Sequence, residues 1–342
     1  MNYPVDLNIT WFLLVGVLLT GYALLDGFDL GVGTLYLLGK GDVERRTLLN
    51  SIGPVWDGNE VWVVVGGGAL FAAFPQVYAT VFSGFYLPFM LLLFALIFRA
   101  VAIEFRSKHE SLVWRRNWDV SFSVASILIA LLAGVALGNM VVGIPIDKDG
   151  LYQGGFFNLL YPYPLLVGIT TVALFAMHGA IYTVLKTEGE LQERARIWVN
   201  WTIGIFIGCY AVTTAATLIF VPQMRENFYA YPVLVVVPIV NLLSVLNIPR
   251  ESYHKRELLA FAFSCLNIAC LLGLFGIGLF PNIVTSSLDS AFNLTLHNAA
   301  SSPASQTIMF TIALLGMPFV LAYTAAVYWV FRGKVNTEAL HY

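Results

Sequence analysis

Runs of 18 or more mostly apolar residues recur from one end of this chain to the other. Each is long enough to cross the hydrocarbon core of a bilayer. Lipid offers no water to bond the backbone, so such segments are restricted to helices and closed barrels. The runs are continuous, unlike the short alternating stretches of a barrel, so they predict helices. Nine are readable, at roughly 9–38, 50–74, 76–106, 113–142, 160–187, 195–221, 229–248, 257–280 and 305–331. Composition agrees. With 58% hydrophobic and 11% charged residues over 342 positions, and a mean hydropathy of +0.78, little polar surface is left for water. The expected fold is all-α, a polytopic membrane protein forming a single integral domain over 1–342. The first run lacks a basic n-region and a small-residue cleavage site and is too long for a secretory signal, so it reads as a spanning helix.

Charge sets the direction. Fifteen Lys and Arg fall after runs 1, 3, 5 and 7 and in the C-terminal tail, among them Lys40, Arg106, Arg115, Lys186, Arg196, Arg256 and Lys334, against only Lys148 and Arg225 on the other side. The positive-inside rule then puts the N-terminus outside and the C-terminus in the cytoplasm. Trp114, Trp118, Trp198, Trp201 and Trp329 fall near cytoplasmic ends, as an aromatic belt would. Gly27-x-x-x-Gly31, Gly134-x-x-x-Gly138 and Gly204-x-x-x-Gly208 are expected to let helices approach closely. The outside connections, about 142–160 and 281–304, are too short for a further domain.

Ionisable residues inside the runs carry the functional signal. In NSIGPVWDGNEVW, residues 50–62, Asp57 and Glu60 share a helix face, with Trp56 and Trp62 beside them. Asp26 and Asp29 repeat that spacing in the inner half of run 1. Arg99 and Glu104 stand near the inner end of run 3, and His178 lies at comparable depth in run 5. A carboxylate at mid-bilayer costs ~2.5–3.5 kcal/mol on insertion scales. Four of them at that depth suggest use, and a proton or cation path from the cytoplasm is the functional reading. The alternative is structural. If run 2 begins near Asn50, Asp57 is buried by ~10 Å. If it begins at Pro54, Asp57 belongs to a first turn at the headgroups, where its charge complements the helix dipole. Arg99 and Glu104 serve equally as a neutralising pair or as groups reaching the interface. His178 by itself suits a hydrogen-bonded core position.

The ligand census is short. Of five histidines, His109, His254 and His341 belong to cytoplasmic segments, His297 to an outside loop, and only His178 is intramembrane. Haem held in the membrane needs His, Met or Cys ligands at matched depth. Cys209, Cys265 and Cys270 form no CxxC and suggest buried thiols. No cofactor or metal is expected on this chain, so a redox centre would belong to another polypeptide. Net charge of −2 gives no sign of nucleic-acid binding.

DGFDLGVG at 26–33, ERR at 44–46, NSIGPVWDGNEVW at 50–62, GGALFAAFPQVYATVFSGFY at 67–86 and FRAVAIEFRSK at 98–108 resemble subunit II of cytochrome bd-type quinol oxidases, a group that includes the cyanide-insensitive oxidases. GNM at 138–140, GGFFNLL at 154–160 and NLTLHNAASSPASQT at 293–307 are weaker members of the same pattern. The resemblance implies a non-haem subunit of a terminal respiratory oxidase in a bacterial or archaeal cytoplasmic membrane. Quinol would be oxidised, and dioxygen reduced to water, on a partner subunit I holding two b haems and one haem d. A small single-helix third subunit and membrane lipid are further expected partners. The resemblance places Asp57 on a cytoplasmic proton route, matches Asp26 and Asp29 to the family's DGFD acids, and puts Glu104 at an acidic position. Glu60 is an amide in some relatives. Relative to some members, a long insertion between later spans is missing. Two other readings stand beside the oxidase subunit. A stand-alone proton- or cation-coupled transporter is one, although transporters show paired broken helices in two halves and the acids here concentrate in runs 1 to 3. A scaffold whose acids only pair helices is the other.

Overall fold

The chain is described from a computed structural model over residues 6–336; His341 lies outside the described residues. The fold is all-α, with twelve helices among the described residues. They are α1 (Leu7–Leu35), α2 (Gly41–Ile52), α3 (Trp56–Ala73), α4 (Pro75–Gly84), α5 (Tyr86–Phe105), α6 (Leu112–Val142), α7 (Pro162–Lys186), α8 (Gly189–Phe220), α9 (Glu226–Ala230), α10 (Val236–Tyr253), α11 (Glu257–Leu279) and α12 (Pro303–Val330). A short hairpin, β1 (Asn282–Val284) with β2 (Leu294–Thr295), closes the connection before α12. Local signals start the helices. The side chains of Asp6, Ser111 and Ser302 accept from backbone N–H groups at the starts of α1, α6 and α12.

Among the described residues, eight helical segments are long and apolar enough to cross a membrane. Two of the nine expected runs are corrected. Run 2 begins at Trp56 and not at Asn50, because residues 41–52 form the separate helix α2 and Gly53–Pro54 interrupts the chain. The 18 residues of α3 span about 27 Å, and their acids and glycines lower its hydropathy. Run 3 is not one helix. Phe74 leaves helical geometry (φ −134°, ψ 67°) before Pro75, which opens α4, and Pro88 cannot donate to the Gly84 carbonyl, so α5 starts afresh at Tyr86.

α7 sits in the middle of the bundle, packed against α1, α6, α8 and α11. Glycine makes two of those crossings possible. A Cβ on Gly31 would overlap the Phe175 carbonyl oxygen and come within 2.7 Å of the Gly179 amide nitrogen. On the α6–α7 crossing a Cβ on Gly134 would lie 2.7 Å from the Cα of Gly168. The third glycine pair does not fit this reading: Gly204 and Gly208 on α8 meet nothing within 4 Å in this chain.

The basic connections meet at one end of the bundle. Buried Asp119 on α6 accepts from Tyr36 (2.7 Å), Arg45 (2.8 Å) and Arg106 (2.5 Å), while Asp42 on α2 takes Arg106 (2.8 Å) and Arg115 (3.0 Å). Arg194 pairs with Glu44, and Arg196 with Glu257. Lys186 and Lys334 close this end reciprocally. Lys334 Nζ donates to the carbonyls of Val184 (3.2 Å), in the last turn of α7, and of Thr187 (2.7 Å), which follows it, and Lys186 Nζ donates to those of Phe331 and Gly333 after α12.

Candidate functional site

Three helices meet around one guanidinium. α1 presents Asp26 and Asp29, α3 presents Glu60 one turn in from its start, and α5 sends Arg99 between them; Asp26, Asp29 and Arg99 have no exposed surface. Arg99 holds Asp26 bidentately, with Nη1 donating to Oδ2 at 3.0 Å and Nη2 to Oδ1 at 2.5 Å. The same group lies 4.0 Å from Asp29 Oδ2 and 3.7 Å from Glu60 Oε2. One cation therefore faces three carboxyl groups. Asp29 Oδ1 has no hydrogen-bond partner, and neither has Glu60 Oε2.

The sequence signals separate into those the structure joins and those it does not. Asp26, Asp29, Glu60 and Arg99 form one cluster. Asp57 occupies the first turn of α3 and is exposed, one turn before Glu60 on the same helix. Of the two starts considered for run 2, the later one holds. Trp56, 9% exposed, packs into the core beside it. Glu104 is exposed on α5, five residues beyond Arg99 toward the basic end, and stands apart from the cluster. His178 is fully buried on α7 and bonds Ser264 Oγ (2.8 Å) through Nδ1 and the Leu24 carbonyl (3.1 Å) through Nε2, with its ring stacked on Phe261. Arg99 does not reach the interface: the Asp26 pair holds it inside.

Two members of the site were not singled out from sequence. Asn59, 2% exposed, donates from Nδ2 to Asp29 Oδ2 at 2.8 Å and accepts at Oδ1 from the Tyr328 hydroxyl at 2.8 Å. Asn59 stood in plain view between Asp57 and Glu60, a polar residue in an apolar helix. Tyr328, 269 positions away on α12, left no local mark. No group of three or more His, Cys, Asp or Glu suited to a metal ion occurs among the described residues.

Comparison with known proteins names the bundle. The family model for cytochrome bd terminal oxidase subunit II matches residues 7–331. The chain is 37% identical over 369 aligned residues to the cytochrome bd-I ubiquinol oxidase subunit 2 of Escherichia coli (strain K12), an alignment covering 99% of this chain and 97% of that one. It is 37% identical over 333 residues to the cytochrome bd ubiquinol oxidase subunit 2 of Bacillus subtilis (strain 168), covering 97% of each. Its fold is that of a chain in the solved bd oxidase of Geobacillus thermodenitrificans, with a TM-score of 0.80 over 96% of this chain and 99% of that one at 14% identity. These matches do not favour the stand-alone transporter. Since both family model and relatives follow the chain through all its spanning helices, it belongs to the cytochrome bd terminal oxidase subunit II family, and is a multi-pass cytoplasmic-membrane subunit of an oxidoreductase complex.

Proposed function

We propose that this chain carries protons from the cytoplasm toward the oxygen-reducing centre of its partner, along Asp57, Glu60 and the buried pair Asp29 and Asp26. The observation behind this reading is the single guanidinium of Arg99 facing three carboxyl groups in a buried site. One guanidinium balances one carboxylate. Two further ionised carboxyls would stand unpaired beside it, and unpaired buried charge is costly enough that such groups take up protons instead. The cluster is therefore a store of exchangeable protons. Asp57, exposed at the start of α3, receives a proton from water, and Glu60 one turn along the same face passes it inward. The unpartnered Oδ1 of Asp29 is the receiving atom. Glu104 collects protons at the surface, Trp56 fixes the start of α3, and His178, with both ring nitrogens occupied, serves packing.

Subunit I of the complex bears haem, and quinol is the substrate of the whole. On our reading that subunit holds two b haems and one haem d, the quinol is a ubiquinol as in the named relatives, a small third subunit completes the assembly, and this chain holds no redox group.

The test is Asp57→Asn in the purified complex, with haem content as the control for assembly. Oxygen reduction at saturating quinol should fall by at least about tenfold, as expected when a positioned proton-transfer group is lost. Normal turnover with normal haem would leave the acids a purely structural part, with the Arg99–Asp26 pair pinning α1 to α5.

A further inference from the structure

Asp29 Oδ2 receives its hydrogen bond from the Asn59 amide, and that amide has two unlike faces. Its N–H side suits an ionised carboxylate, whereas its carbonyl side suits the O–H of a carboxylic acid. A half-turn about the side-chain bond exchanges them. In the structure the N–H side faces Asp29 Oδ2 and the Leu25 carbonyl, at 2.8 and 3.3 Å. The opposite face is claimed by the Tyr328 hydroxyl, which donates to Oδ1 at 2.8 Å. Tyr328 belongs to α12, whose most apolar stretch contains no buried residue and which packs chiefly on α1 and α3. The amide is thus held from the most peripheral of the spanning helices.

We infer that Tyr328 and Asn59 are positioning residues for proton delivery through Asp29: the Tyr328 hydroxyl keeps the Asn59 amide turned with its N–H toward Asp29. This inference rests on the relay proposed above. In the observed orientation Asp29 is matched as a proton acceptor. Without the phenol hydroxyl only the long 3.3 Å bond to the Leu25 carbonyl still favours this orientation against its reverse; when the amide turns, its carbonyl accepts from protonated Asp29 and the proton is retained. The other ionisable groups facing Asp29 are Asp26 on α1, Glu60 on α3, Arg99 on α5 and the Tyr182 phenol on α7. None of them contacts the Asn59 amide by a hydrogen bond among the described residues.

The experiment uses the intact oxidase complex with Tyr328→Phe, Asn59→Leu, the double variant and Asp29→Asn, each checked for haem content. Turnover at saturating quinol is measured across pH, and the carboxylic-acid infrared band of Asp29 is identified by its loss in D29N. Y328F should lower turnover about three- to tenfold, the loss of one hydrogen bond. It should also displace the pH profile and strengthen the Asp29 acid band, with haem content unchanged. Because Tyr328 acts through Asn59, the double variant should be no slower than N59L. Should N59L not assemble, Asn59→Ser takes its place in the cycle. Wild-type turnover, pH profile and infrared band in Y328F would overturn the inference, as would effects that simply add in the double variant. Failure of the relay itself reads differently: D29N would then turn over like the wild type, whereas an impaired D29N beside a normal Y328F refutes only the part assigned to Tyr328 and Asn59.

Discussion

Removing the cation and removing its closest anion are not equivalent perturbations. Arg99 is wholly buried, holds Asp26 through two hydrogen bonds, and lies 4.0 and 3.7 Å from Asp29 and Glu60. At an effective dielectric of about 20, a unit charge pair 4 Å apart is worth roughly 4 kcal/mol before desolvation. Arg99→Gln cancels the attraction to the ionised Asp26 and leaves that carboxylate buried beside two further carboxyls with no cation among them. Breaking a buried pair in this way costs about 3–5 kcal/mol, with protonation of the acids limiting the loss. Asp26→Asn should cost less, about 1.5–3 kcal/mol for the charge-assisted hydrogen bonds, because Asp29 and Glu60 remain to balance the guanidinium. Replacing both by Leu should cost less than Arg99→Gln alone, since no unpaired cation or Asp26 anion is left buried. The assay is the half-life of the haem-loaded complex in detergent at fixed temperature, followed by haem absorbance, with variants ranked against the wild type. The expected order of stability is wild type, then Asp26→Asn, with Arg99→Gln lowest and the double Leu variant above it. Arg99→Gln as durable as Asp26→Asn, or a double Leu variant worse than Arg99→Gln, would refute the claim that Arg99 is the shared counter-ion.

Elsewhere in the fold, Gly31→Ala should destabilise the α1–α7 crossing by about 1–3 kcal/mol, because its Cβ meets backbone and not a movable side chain; shortened half-life of the complex is the readout. The Lys334 ammonium is pushed below its ordinary value by burial and donates to two carbonyls at the C-terminal end of α7. Lys334→Met should therefore loosen the end of α12, seen as faster amide exchange near Phe331. In the loop after α6, backbone N–H groups of Leu151 and then Asp149, with the Gln153 amide, hold Asp147 below the usual carboxylate range. The sign follows. A depressed native value stabilises the turn above the ordinary carboxylate value, about 3.9, and that support is lost as pH falls through the lower native one. Protection of the Asp149 and Leu151 amides, measured against their intrinsic exchange rates at each pH, should fall on acidification below about pH 4, and Asp147→Asn should abolish that pH dependence.

What was legible in the sequence divides along a physical line. Period and length are local, so continuous apolar runs marked the spanning helices, and a spacing of three showed that Asp26 with Asp29, and Asp57 with Glu60, share faces. Breaks were harder because several local signals compete. Pro54, Pro75 and Pro88 each deny the helix an N–H, but only the structure shows that the first two separate helices while Pro88 lies within the first turn of one. Counter-charge is not local at all. Arg99 stands 73 positions from Asp26 and Tyr328 stands 269 from Asn59, so no window of sequence joins them. Before the fold is known, an arginine near the end of an apolar run is equally suited to reaching the headgroups, the outcome that hydration favours for an exposed residue. Its capture inside follows from α1, whose two buried carboxyls already need a cation and whose glycine faces draw it tightly onto α7. The acids and the arginine are thus each other's reason for lying inside the membrane. A site with one cation and three acids is neither a simple neutral pair nor the open charge that lipid would reject, and that imbalance is what the relay proposed above draws on.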